Sequence, residues 1–147
     1  CIVSGKQLWA ERVVECIRKE KTKVTIVATG ALTNVALLLT LYPDIHSRIE
    51  QISVMGGAIG IGNRSPVAEF NILLDPEAAR VVFSSSIKTI MVPLEVTHTA
   101  LATEEVLKRI KGFNTPFGDM SVDLLTFFKD TYKRVFGFKH PPVHDPC

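Results

Sequence analysis

The sequence predicts an α/β fold, an open and mainly parallel sheet with helices on both faces, and three observations predict it. Three short apolar runs, Val24–Ala28, Ile52–Met55 and Ile87–Val92, are rich in β-branched residues and read as strands. Segments with helical periodicity or helix-start signals separate and follow them. After a first helix the order is therefore β-α-β-α-β-α, the alternation that right-handed helical crossovers produce between parallel strands.

Each element has its own warrant. Between Lys6 and Lys19, Trp9, Val13, Cys16 and Ile17 recur at helical spacing among charged positions, which predicts an amphipathic helix with one buried stripe. Val24–Ala28 is nearly all apolar, as expected of a strand covered on both faces. Thr29 and Gly30 end it, and Ala31–Leu41 reads as a helix stopped near Tyr42 by Pro43. After the second strand and a long loop, Asp75, Pro76 and Glu77 open a helix that runs to Ser84: a cap, a residue suited to the first position, and an acid at the positive end of the dipole. Val106, Leu107 and Ile110 mark the inner side of a helix over Thr103–Ile110. Met120, Leu124, Phe127 or Phe128, Thr131 and Val135 mark a core face on a helix over Phe117–Val135, with both phenylalanines read as core rather than as a base-stacking platform. The chain closes irregularly through His144, Asp145, Pro146 and Cys147.

Bulk properties narrow the function. The chain has 147 residues, 46% of them hydrophobic, enough for about one domain with a real core. A formal charge of +2 without a long cationic run gives no support to a nucleic-acid partner. No apolar stretch reaches the roughly 18 residues of a membrane span and no basic-then-apolar leader opens the chain, so no membrane role and a cytoplasmic location are expected. Cys1, Cys16 and Cys147 are too few and scattered for a disulfide framework or a cysteine-rich zinc site, and reduced thiols are the default. There is no P-loop, no dinucleotide glycine fingerprint in its strand-to-helix context, and no serine nucleophile elbow.

The chemistry concentrates in the loop after Met55. Gly56, Gly57, Gly60 and Gly62 let the backbone turn sharply or approach a ligand closely. Asn63, Ser65, Glu69 and Asn71 then bring hydrogen-bonding groups that suit a neutral polyhydroxylated ligand, interleaved with apolar Val67, Ala68 and Phe70. Asn63 and Asn71 also read as plain turn formers, and Glu69, in its apolar setting, as an acid with either structural partners or a task. The Thr29-Gly30 turn lies where open α/β sheets carry ligands, yet Thr29 also reads as a simple helix cap. His98 reads as a strand-end histidine with its hydrogen bonds met. His144-Asp145 pairs an imidazole that titrates near neutrality with a carboxylate able to bind a hard cation or sugar hydroxyls, and it also reads as a turn beside prolines.

Five motifs in order resemble the inosine-uridine-preferring nucleoside hydrolases: Ala28-Thr29-Gly30-Ala31-Leu32-Thr33-Asn34; Met55-Gly56-Gly57; Gly62-Asn63 with Ala68-Glu69-Phe70-Asn71; Asp75-Pro76-Glu77-Ala78-Ala79; and His144-Asp145-Pro146. The resemblance covers nearly the whole chain. It implies hydrolysis of the N-glycosidic bond of ribonucleosides to ribose and free base, assisted by a calcium ion. It implies that Thr29, through its carbonyl, and Asp145 are calcium ligands, that Met55, Asn63, Glu69, Asn71 and Asp145 bind substrate, and that His144 acts near the leaving base. It also implies a homo-oligomer.

One part of the family pattern is missing. The D-x-D-x-x-x-D-D motif that opens family members has no counterpart, because Asp44, Asp75, Asp119, Asp123, Asp130 and Asp145 form no such cluster. Residues 1–147 therefore read as the central to C-terminal part of a nucleoside hydrolase domain, incomplete and expected to be inactive alone. The alternative is a truncated noncatalytic member that serves as a ligand-binding or partner subunit.

Overall fold

In the computed structural model residues 9–147 are described, and the chain forms two compact units, 1–94 and 95–147. The first unit holds a three-stranded parallel sheet in the order β1-β2-β3, made of β1 (Val24–Ala28), β2 (Ile49–Met55) and β3 (Thr89–Val92). Ala28 pairs with Val54, and Met55 pairs with Val92, so the three strands end along one carboxyl edge. The predicted alternation and parallel pairing are present. The helical part of the first element is α1 (Trp9–Lys19), the start expected at Lys6 lying outside the described residues. It is followed by α2 (Thr33–Leu41), a 3-10 turn over Pro43–Arg48, α3 (Phe70–Leu74) and α4 (Pro76–Phe83).

One face of the sheet carries the core. Ala28, Ile52 and Val54 cluster with Val14 and Ile17 of α1, Ala36 and Leu39 of α2, and Ala79 and Val82 of α4. Within α1 the buried residues are Ala10, Val14 and Ile17, while Trp9 and Val13 flank the core. The stripe is thus turned slightly from the predicted one, running through Ala10, Val14 and Ile17. The expectation that β1 is covered on both faces is not met. Among the described residues it is an edge strand, and Val27 on its other face is 66% exposed. Cys147 is an exposed free thiol, and Cys1 lies outside the described residues.

A short helix, α5 (Leu94–Thr97), stands where the chain passes into the second unit, which contains α6 (Glu104–Lys111) and α7 (Pro116–Phe136). Thr103 caps α6 through Val106, and Thr115 caps α7 through Gly118. The C-terminal segment folds back on residues 100–102: Val143 donates to the Ala100 carbonyl and Ala102 to the Pro141 carbonyl, each at 2.9 Å. The core face expected on α7 is overturned. Only Gly118 of this helix is buried, and Phe127 and Phe128 are exposed. Periodicity marks an apolar stripe, but it does not say how much neighbouring structure covers it.

Candidate functional site

The loop after β2 is built around one buried carboxylate. Glu69 is 3% exposed and caps α3. Its Oε1 accepts the Asn71 amide at 2.9 Å, and its Oε2 accepts the amides of Gly57 at 2.9 Å and Ile72 at 3.2 Å. A buried carboxylate is tolerable only with such compensation, and three backbone donors provide it. Gly57 can meet this demand because its φ is +83°, a conformation disfavoured for residues with a Cβ. Three of about four lone-pair positions are used, which leaves Oε1 able to accept one more donor.

Asn71 and Asn63 are drawn into the same structure. Asn71 Nδ2 donates to the Met55 carbonyl at 3.1 Å, with Met55 Sδ 3.4 Å away. Asn63 Oδ1 accepts the Phe70 amide at 2.9 Å. Met55, Asn63, Glu69 and Asn71 are therefore assembled into one polar cluster at the carboxyl edge of β2. Both asparagines act partly as the turn formers that their residue type allows, while Asn71 Oδ1 and Asn63 Nδ2 make none of these bonds. The intervening segment is a tight reversal. Ala68 O receives the amides of Asn63 and Arg64, each at 3.1 Å, and a Cβ on Gly62 would lie 2.3 Å from the Ala68 backbone. Ser65, grouped by residue type with the candidate ligand-binding residues but given no role by the family resemblance, accepts the Ala68 amide at 2.9 Å and shapes that turn.

Thr29 is exposed just past β1, beside the end of β2. It does not cap α2: the N-cap is Leu32, and no side-chain cap bond is made. The plain-cap reading of Thr29 is thereby removed.

His144 and Asp145 lie in the second unit. The His144 ring is held from both sides, its Nε2 2.7 Å from the Tyr132 hydroxyl and its Nδ1 2.8 Å from Thr97 Oγ1. Thr97 is fully buried. Burial also raises the Tyr132 phenol above its ordinary pKa of 10.0. Sequence reasoning missed Tyr132 and Thr97, and the one signal available was Thr97 beside His98 after a strand. His98 follows α5 rather than a strand end, and its ring packs edge-on against Phe138 at 4.9 Å. A cavity of about 280 Å³ is lined by Phe128, Tyr132, Val143, His144 and Asp145 among others. Exposed Phe128 is thus a cavity wall rather than a core residue.

The donor set falls short of a calcium site. Calcium takes about six to eight oxygens, and the described residues contain no group of three His, Cys, Asp or Glu that could hold a metal. Thr29 and Asp145 offer one carbonyl and one carboxylate from separate units.

Comparison with known proteins gives a consistent set of relatives. The family model described as inosine-uridine preferring nucleoside hydrolase matches residues 4–147. A probable ribonucleoside hydrolase of Dictyostelium discoideum is 54% identical over 134 residues, 87% of this chain and 39% of that protein. The pyrimidine-specific ribonucleoside hydrolase RihA of Escherichia coli is 46% identical over 138 residues, 93% of this chain and 44% of that protein. Among solved structures, a purine-preferring ribonucleoside hydrolase from Gardnerella vaginalis superposes with a TM-score of 0.90 at 30% identity, covering 99% of this chain and 46% of that one. The chain spans less than half the length of each of these relatives.

Proposed function

The chain belongs to the inosine-uridine-preferring nucleoside hydrolase family, and from that membership we propose that it forms part of an enzyme that hydrolyses the N-glycosidic bond of ribonucleosides to ribose and free base. The observation that carries the proposal is the cluster in which Glu69 fastens Gly57 to α3 while Asn71 fastens α3 to Met55. Its remaining acceptor and donor atoms are of the kind that read sugar hydroxyls. In this reading Met55, Asn63, Glu69 and Asn71 hold the ribose.

The bond from C1′ to the base nitrogen breaks, and a bond from C1′ to a water oxygen forms. The water loses a proton and the departing base gains one. His144 would stand near that base, its ring fixed by Tyr132 and Thr97 so that Nε2 and the phenol can hand a proton toward the leaving nitrogen. Carboxylates near C1′ would stabilise the oxocarbenium-like sugar, and Asp145 is this chain's candidate.

Calcium belongs to the proposal through the family resemblance alone. Thr29 and Asp145 would be two of its ligands, and two oxygen donors cannot hold such an ion unaided. A single partial domain over 1–147, a homo-oligomer and a cytoplasmic location belong to the same reading. No described helix is long and apolar enough to cross a membrane.

The second reading is a truncated noncatalytic family member that acts as a ligand-binding or partner subunit. Ribose release from inosine and uridine separates the two. It should be measured on the protein expressed from its complete coding sequence and on an Asp145→Ala variant. The hydrolase reading expects release by the parent and a loss of at least about 100-fold in the variant. Undiminished turnover in the variant would remove Asp145 from the site, and no release by the parent would leave the noncatalytic reading.

A further inference from the structure

We infer that Thr33 and Asp75 form a positioning pair that holds the Thr29 turn in place against the ribose cluster; the inference rests on the proposed hydrolase reading. Thr33 is the first residue of α2. Asp75 closes α3, the helix that carries Asn71 and is capped by Glu69, and it opens α4. Its two oxygens have separable jobs. Oδ1 accepts the Ala78 amide at 2.9 Å and caps α4. Oδ2 accepts the Thr33 hydroxyl, a contact that joins residues 42 positions apart.

The first turn of α2 lacks a side-chain cap. Its N-cap, Leu32, is buried in the core and makes no side-chain bond to the free amides, so packing anchors the entry of the helix but no local side-chain hydrogen bond does. The segment between β1 and that entry is only Thr29, Gly30, Ala31 and Leu32, and a Cβ on Gly30 would meet nothing within 4 Å. The Thr33–Asp75 bond adds a polar restraint from the neighbouring crossover. It reaches one helical turn beyond Thr29, at the carboxyl edge where Ala28 and Val54 stand side by side. The same carboxylate thus sets the start of α2 and the junction of α3 with α4. Neither Thr33 nor Asp75 is assigned a contact with substrate, and their effect passes through the placement of Thr29 and Asn71.

The two jobs of Asp75 can be separated by mutation. Thr33→Val removes the tether and leaves the cap on α4, Thr33→Ser keeps the hydroxyl, and Asp75→Ala removes both. In the protein expressed from its complete coding sequence, kcat and KM for inosine and uridine are measured together with the melting temperature. Thr33→Val should raise KM about threefold to tenfold, the weight of one ordinary hydrogen bond, with kcat and melting temperature nearly unchanged. Thr33→Ser should restore KM, and Asp75→Ala should raise KM alike while also lowering the melting temperature. Parental KM in Thr33→Val, or a rise that serine does not reverse, would overturn the pair. Amide hydrogen exchange over residues 29–34 is followed in parallel. It should quicken in Thr33→Val whether or not nucleosides turn over, and unchanged exchange would also overturn the pair. Absence of hydrolysis by the parent would instead overturn the hydrolase reading.

Discussion

Oε2 of Glu69 accepts the amide of Gly57 at 2.9 Å, joining the end of the central strand to the start of α3 across 12 residues. This bond makes the glycine-rich loop a fixed structure rather than a tether. Glu69→Ala would leave the amides of Gly57, Asn71 and Ile72 without their acceptor. Its expected cost is about 1–3 kcal/mol of stability, read by chemical denaturation, together with loss of nucleoside affinity. Glu69→Gln keeps one acceptor oxygen and should cost less. Parental stability in Glu69→Ala would show that the loop is held by something else.

The Tyr132 hydroxyl is 2.7 Å from His144 Nε2, and the Tyr132 ring also packs near Phe136 at 5.3 Å. Tyr132→Phe keeps the ring and removes the hydroxyl. If the phenol orients His144 for proton transfer, kcat should fall about tenfold with KM little changed, whereas His144→Ala should cost about 10²–10⁴ in kcat. A Tyr132→Phe enzyme with the parental kcat and pH profile would restrict the phenol to packing.

His98 offers a test in pH. Desolvation lowers its pKa below the ordinary 6.5, against the weaker upward pull of Glu95. Below pH 6.5 the unfolded chain therefore binds more protons at this position than the folded one. The stability due to neutral His98 is complete above 6.5 and declines as pH falls toward the lowered value. Denaturation midpoints from pH 7.5 to 5 should fall in the parent, and His98→Gln should remove part of that decline. Parallel curves for the two proteins would deny His98 this role.

Much of the fold was legible because the strands are short and β-branched and the helix starts carry explicit caps. Asp75 does cap α4 through Ala78, as its place before Pro76 and Glu77 predicts. The site was legible as residue types, since Asn63, Glu69 and Asn71 do gather near Met55. What they bond to was not. Glu69 is occupied by backbone amides, which depend on Gly57 adopting a positive φ, and a glycine-rich string does not say which glycine does so. The exposure of Val27 and of the α7 phenylalanines follows from how many elements pack on each face, and hydrophobic periodicity carries no such count. Thr97 and Tyr132 escaped notice because each reaches His144 only through tertiary folding, across 47 and 12 residues.

The most direct test is the product balance for inosine and uridine in phosphate-free buffer, using the protein expressed from its complete coding sequence. A nucleoside hydrolase built on this ribose cluster should give ribose and free base in equal amounts, with the yield lost in Glu69→Ala. Failure to release ribose, or turnover that requires phosphate and yields a sugar phosphate, would contradict it.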